Sequence, residues 1–362
     1  GVVSVIWVVF GFSLAFGDDC GGFIGNPASF FMFQHVGAKI DTYLAPTIPL
    51  ALYALFQMKF AIITPSLITG SFAERVRFSG YLIFMILFCI FVYCPLAHWT
   101  WHPDGFLRQM GVVDFAGGIV VHASSGVAAL AGAIFLGRRS GKRHAPANIP
   151  FVILGAAMLW LGWFGFNAGS SLAADGIAIK AFLNTNTASA TAMMVWIFFD
   201  CLRGRKPSAL GAAVGAVVGL VAITPSAGYV TVGESIFIAL TTTMVCNVAV
   251  YWKNKTSVDD ALDVFPTHGV GGIFGTVLTG VFVNGLFAGN VSVFLIHLLA
   301  VVLVCGYTFI VSYALYWLTN KMIPLRVSAR SEAIGLDLSQ HDESYGYADE
   351  GERELAEYHA EN

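Results

Sequence analysis

Ten apolar runs succeed one another along the sequence, at residues 1–16, 45–70, 78–97, 115–137, 149–170, 178–202, 208–224, 234–252, 264–283 and 291–318. A helix needs about 20 mostly apolar residues to cross the roughly 30 Å hydrocarbon layer of a bilayer, so this succession predicts an all-α, polytopic membrane helix bundle of about ten spans. Water could not solvate such a chain as a globule: only 11% of its 362 residues are charged, against about 25% in ordinary soluble chains. A soluble enzyme, a nucleic-acid binder and a disordered scaffold are excluded on that ground. Many runs are built of small residues, as in LGAAVGAVVGL from Leu210, and small residues let helices pack closely where lipid offers no hydrophobic drive for association. The first run has neither the basic start nor the small-residue cleavage pattern of a signal peptide, and it reads as a span that has lost its beginning.

Basic residues alternate between loops. Arg75 and Arg77 are followed by a lone Arg108, then by Arg138, Arg139, Lys142 and Arg143, then by a lone Lys180. Arg203, Arg205 and Lys206 come next, then a loop with no base, then Lys253 and Lys255, another without, and finally Lys321, Arg326 and Arg330. The positive-inside rule makes every second loop cytoplasmic, which puts both ends of the chain on the cytoplasmic side of the cell membrane. The net charge of −3 hides an asymmetry: residues 331–362 hold 10 of the 22 acids and one base, Arg353, leaving a body with 12 acids against 18 bases. We therefore divide the chain into a transmembrane domain at 1–325 and a cytoplasmic tail at 326–362. None of the six cysteines forms a CxxC pair, so neither a disulfide framework nor a cysteine zinc site is expected.

Two spans share a feature. The fourth begins at Asp114 and carries His122 (DFAGGIVVHASSG), and the ninth begins at Asp263 and carries His268 (DVFPTHGVGG). Because five spans separate them they run in opposite directions, the pattern of an inverted five-helix repeat such as many transporters have. Ionisable groups at membrane depth are costly and are functional candidates by default. A single histidine there can simply satisfy a backbone carbonyl. Two facing neutral imidazoles can instead share one proton and line a narrow pore that offers hydrogen bonds without fixed charge, which suits a small polar molecule or a proton relay. Asp263 is expected to cap its helix; Asp114 can cap and also favour a nearby cation. His297 has no matched partner and reads as structural.

Phe56 and Phe60 form an i, i+4 pair, Trp163 and Phe166 lie in GWFGFNAGSS, and Trp99 and Trp101 are read as part of the loop entering the fourth span. Ring faces attract desolvating cations by about 0.5–2 kcal/mol, although such pairs also serve plain packing. His98 and His102 have the spacing of a zinc pair, but the local sequence adds only Asp104 and no HExxH glutamate. No metal or other cofactor is expected.

Five ordered motifs, AERVRF (73–78), DFAGGIVVH (114–122), GWFGFNAGS (162–170), AITPSAGY (222–229) and DVFPTHGVGG (263–272), together resemble the Amt/Mep/Rh ammonium transporter family on its bacterial and archaeal Amt side. The resemblance covers nearly the whole chain. It implies a homotrimer with one pore per subunit and eleven spans, of which this sequence begins within the second. It implies that Trp101, Phe56 and Ser170 form an outer site for NH4+ with Asp114 beneath it, that Phe60 and Phe166 form a stacked gate, and that His122, His268 and Trp163 line the pore. Ammonium or ammonia is then the substrate, with methylammonium a further candidate, and the chain is a membrane transporter rather than an enzyme. In the tail, Gly335, Leu336, Asp337, His341 and Glu343 resemble the family's regulatory segment, which implies a cytoplasmic PII-type signal protein as partner. Lys59 departs from the apolar or small residue of the pattern; helical geometry sets it about 60° from Phe56 and 100° from Phe60, and it is expected to point away from the pore into a subunit contact. The alternative function is an ammonium sensor on the same fold that signals through its tail; a membrane-embedded enzyme lacks a nucleophile constellation.

Overall fold

The computed structural model describes residues 1–140, 146 and 148–343. Lys142, Arg143 and the sequence after Glu343 lie outside the described residues. Among the described residues, ten long helical segments match the ten runs. They are α1 (Val2–Phe16), α2 (Leu50–Phe72), α3 (Phe78–Phe88, Cys89–Tyr93 and Cys94–Trp101 in one course), α4 (Gly118–Leu136) and α5 (Ile149–Gly169). After these come α6 (Gly176–Leu202), α7 (Ala209–Ile223), α8 (Val232–Lys253), α9 (Phe265–Gly269 continuing into Val270–Phe282) and α10 (Val291–Met322). Seven segments of the described residues are long and apolar enough to cross a membrane; α1 and α7 are shorter apolar helices, and α6 is a continuous 27-residue helix whose apolar run is interrupted by the polar Asn184, Thr185 and Asn186.

Local chemistry sets the helix starts. Asn148 accepts the Phe151 N–H ahead of α5, Asp175 accepts that of Ala178 ahead of α6, and Ser208 that of Gly211 ahead of α7. Thr231 and Glu234 form a reciprocal capping box at α8. Two boundaries differ from the sequence reading. The run from residue 45 enters its helix only at Leu50, because Ala45–Pro49 pairs antiparallel with Ile40–Asp41. The run from residue 78 stays helical through Trp101, so Trp99 and Trp101 sit on a helix and not in the following loop.

α4 and α9 enter the bundle from opposite ends and meet in its middle. Their approach depends on glycine. A Cβ at Gly126 would lie 2.1 Å from the Gly269 nitrogen, and one at Gly272 would lie 2.6 Å from the Gly118 carbonyl oxygen. Backbone cannot yield to such a clash as a flexible side chain can, and overpacking of this kind costs about 1–3 kcal/mol. Gly126→Ala should therefore lower stability by about 3 kcal/mol, read as a lowered melting temperature in detergent; an unchanged melt would show that the two helices are free to separate.

The bundle has a basic end. There Arg75, fully buried, pairs with Asp259 (3.1 Å), and Arg139 grips the same carboxylate (2.8 Å) while reaching Glu74 (2.7 Å). The described part of the tail folds back onto this end. Arg326 binds the Leu136 carbonyl and Glu332, Glu332 accepts the Ser140 N–H, and Gln340 Oε1 accepts the Phe78 N–H. Of the tail residues singled out in sequence, His341 packs edge-on against Phe78 and Leu336 lies in the same groove.

Candidate functional site

At the opposite end a funnel of about 500 Å³ opens into the bundle, and its walls include Phe56, Phe60, Trp101, Asp114 and Ser170. Five residues expected at an outer site or gate thus come together from α2, α3, α5 and the entry to α4. Tyr53, Gln57, Thr100, Arg108 and Tyr229 line it as well. Trp101 is fixed by its indole N–H, which donates to the Asp114 carbonyl (2.9 Å), and Ser170 donates to the Phe166 carbonyl (2.9 Å).

Asp114 itself turns inward. Its two carboxylate oxygens accept the N–H groups of Gly117, Gly118, Ile119 and Val120 at 2.6–3.2 Å. A helix start leaves four such donors without partners, and this side chain satisfies all four. Capping is what its contacts show.

At the funnel floor Phe60 and Phe166 meet with ring centroids 4.3 Å apart, and Phe56 and Trp101 stand edge-on to Phe60 at 4.9 and 5.4 Å. Beyond Phe166 comes His122, 5.9 Å away centroid to centroid, lying nearly parallel to Trp163 at 5.2 Å. His268 follows, its Nδ1 3.3 Å from that of His122. Phe60, His122, Trp163 and His268 are all buried. Nε2 of His122 is buried with no hydrogen-bond partner among the described residues, an open polar contact in a wall of rings. Both histidines lie in π-helical turns, Gly118–Ala123 and Phe265–Gly269; such local widenings redirect side chains and are frequent at functional sites.

Lys59 is exposed on the outside of the bundle, on the face of α2 that also bears Leu52 and Leu55, so it does not enter the funnel. His297 has both ring nitrogens engaged, accepting the Val113 N–H and donating to the Val293 carbonyl, as a structural histidine does.

One expectation is corrected. Asp263 does not cap α9: it has a left-handed backbone (φ 57°) and pairs with Lys253. Asp260 takes the cap, accepting the N–H groups of Val264 (3.1 Å) and Phe265 (2.8 Å). Asp260 precedes His268 by the same eight-residue interval that separates Asp114 from His122, a regularity visible in the sequence. The reading also missed a polar chain behind the pore. Trp163 donates to Thr224 (3.0 Å), Thr224 lies 3.3 Å from Asn167, and Asn167 donates to Thr185 (2.9 Å). These side chains hold the indole beside His122.

Comparison with known proteins decides the family. The model of the Ammonium Transporter Family matches residues 1–346. The chain belongs to this family. It is 43% identical over 353 residues to the ammonium transporter of Bacillus subtilis, covering 94% of this chain and 86% of that protein. The crystal structure of Saccharomyces cerevisiae Mep2 superimposes with a TM-score of 0.85 at 33% identity, over 91% of this chain and 78% of Mep2. A solved Sensor Amt Protein gives a TM-score of 0.85 at 30% identity, covering 94% and 87%. This member of the Ammonium Transporter Family is a multi-pass membrane protein and stands among transporters, not enzymes.

Proposed function

We propose that the chain carries ammonium across the cell membrane. NH4+ is received in the funnel by the ring faces of Trp101 and Phe56 and by the Ser170 oxygen, over the field of Asp114. Its proton is left with the water of the funnel above Phe60 and Phe166, and the molecule passes as NH3 between His122 and His268 beside Trp163. The observation that supports this reading best is the unpartnered, buried Nε2 of His122 directly behind the closed phenylalanine pair. A bare cation is poorly solvated in such a channel, whereas a neutral molecule that both donates and accepts finds imidazole nitrogens there. Each subunit would hold one such pore in a homotrimer. The funnel end would face outward, and the basic end would face the cytoplasm with the C-terminal tail. A PII-type signal protein would meet that cytoplasmic face.

The test is the rise in internal pH of liposomes holding the purified protein after an ammonium jump, beside the transient current on a solid-supported membrane, which reports whether charge crosses with the ammonia. The variant His122→Ala with His268→Ala should lose selective transport by at least about tenfold, as expected where about 1.4 kcal/mol of stabilisation is removed from the passage. Unchanged uptake by a folded double variant would refute the role given to the histidines. A second reading is favoured by the likeness to a Sensor Amt Protein: binding without sustained flux. A current that saturates after one binding event, with no rise in internal pH beyond that of protein-free liposomes, would select that reading.

A further inference from the structure

Beside the funnel, three groups that take no part in the proposed path converge. Asp19, from the stretch after α1, and His98 and His102, one turn apart at the end of α3, bring ligand atoms within 4.8 Å of one another. His98 donates its Nδ1–H to the Ala15 carbonyl (2.9 Å). A carbonyl can only accept, so a neutral His98 must aim a bare Nε2 lone pair at Asp19 Oδ1, 2.9 Å away. Two lone pairs do not face each other at that distance without a proton or a cation between them. Asp19 Oδ1 is held in place by the Gly22 N–H (2.6 Å), and the two imidazoles stack with centroids 4.3 Å apart. Both histidines are buried. A cavity of about 210 Å³ opens at this point, lined by Asp19 and His102 together with Asp18, Asp41, Tyr43 and Asp104.

We propose that Asp19, His98 and His102 bind a divalent transition-metal ion of the zinc class, with the cavity offering the remaining coordination position. Two imidazoles and one carboxylate form the donor set of such borderline ions, whereas Ca2+ and Mg2+ take oxygen ligands. Bond lengths of about 2.0–2.2 Å place tetrahedral donors about 3.3–3.6 Å apart, so the His98–Asp19 contact opens by a few tenths of an ångström while His102 moves in. Ligation through either nitrogen of His102 gives up the hydrogen bond that its Nδ1 accepts from the Asp104 N–H (3.1 Å). The ion therefore binds less tightly than in a fully preset cage. It links the segment after α1 to the end of α3. Leu44 lines both this cavity and the funnel, so the site adjoins the funnel rim.

The experiment uses the purified full chain, stripped with a chelator that is then removed, and titrated with Zn2+ alone by calorimetry and with Co2+ by visible absorption. One ion per chain, a Co2+ spectrum of tetrahedral type and a raised melting temperature with Zn2+ are expected. Asp19→Asn and His102→Asn should each weaken binding at least tenfold while keeping the elution profile of the parent protein. His98 is left intact because its bond to Ala15 also holds α1 against α3. Absence of zinc binding by the folded parent protein would overturn the proposal, and so would binding that both variants leave unchanged.

Discussion

Replacing Asp114 by alanine is expected to cost the folded protein and not merely its transport. Four backbone N–H groups at the buried start of α4 rest on this one carboxylate. Leaving a buried donor unsatisfied costs about 1–3 kcal/mol, so the loss is about 4 kcal/mol or more, a large share of the margin by which ordinary domains are folded. Asp114→Asn should fall between the two, since one oxygen still accepts while the amide turns donors toward donors. Size-exclusion profiles and melting curves of the three proteins give the ranking. Should Asp114→Ala keep the parent melting temperature and lose only ammonium binding, capping would be the lesser role and direct attraction of the cation the greater.

The second large effect is expected at the basic end. Arg75 is fully buried against Asp259, and Asp259 also carries Arg139. Removing one partner of a buried pair strands the other, at about 3–5 kcal/mol, so Asp259→Asn should lower the melting temperature sharply near neutral pH. Burial pushes the Asp259 carboxyl up, but the hydrogen bonds from Arg139 and the charges of Arg75 and Arg139 outweigh it and bring it down to about 2. A depressed acid contributes stability that is complete above its unfolded value, about 3.9, and is lost as the pH falls through the folded one. The melting temperatures of parent and Asp259→Asn should thus converge between about pH 4 and pH 2. A difference that persists undiminished at pH 2 would show that the pairing is not what stabilises this end.

How much of this was legible in the sequence follows from the range of each signal. Hydropathy summed over some twenty residues is robust, so all ten helices are readable. Their ends are not, because the apolar Ala45–Pro49 looks like helix until its pairing with Ile40–Asp41 is known. His122 and His268 stand out because an ionisable group in an apolar run carries a cost that something must justify. Phe60 and Phe166 do not stand out by composition among 30 phenylalanines; the family resemblance supplied them, and the 4.3 Å contact across α2 and α5 shows them together. Asp260 was overlooked in favour of Asp263 because adjacency to the apolar run is a weaker guide than the repeated eight-residue interval. Asn167, Thr185 and Thr224 carry no signal of their own in the sequence, and only the three-dimensional arrangement shows them hydrogen-bonded behind Trp163. Asp19 could not be joined to His98 by local spacing, since 79 positions separate them.

The facing Nδ1 atoms of His122 and His268, 3.3 Å apart, give the histidine pair a direction. With both rings neutral one proton lies between them, so one ring shows a bare Nε2 and the other an Nε2–H. The mirror arrangement has the same bonds. A guest that passes whole leaves this direction as it found it. A proton handed in at one Nε2 and taken out at the other reverses it, and the pair cannot repeat the transfer in the same sense until both rings have exchanged their protons back. Proton-coupled turnover through these rings therefore has a refractory interval built into each cycle, and passage of an intact neutral molecule has none.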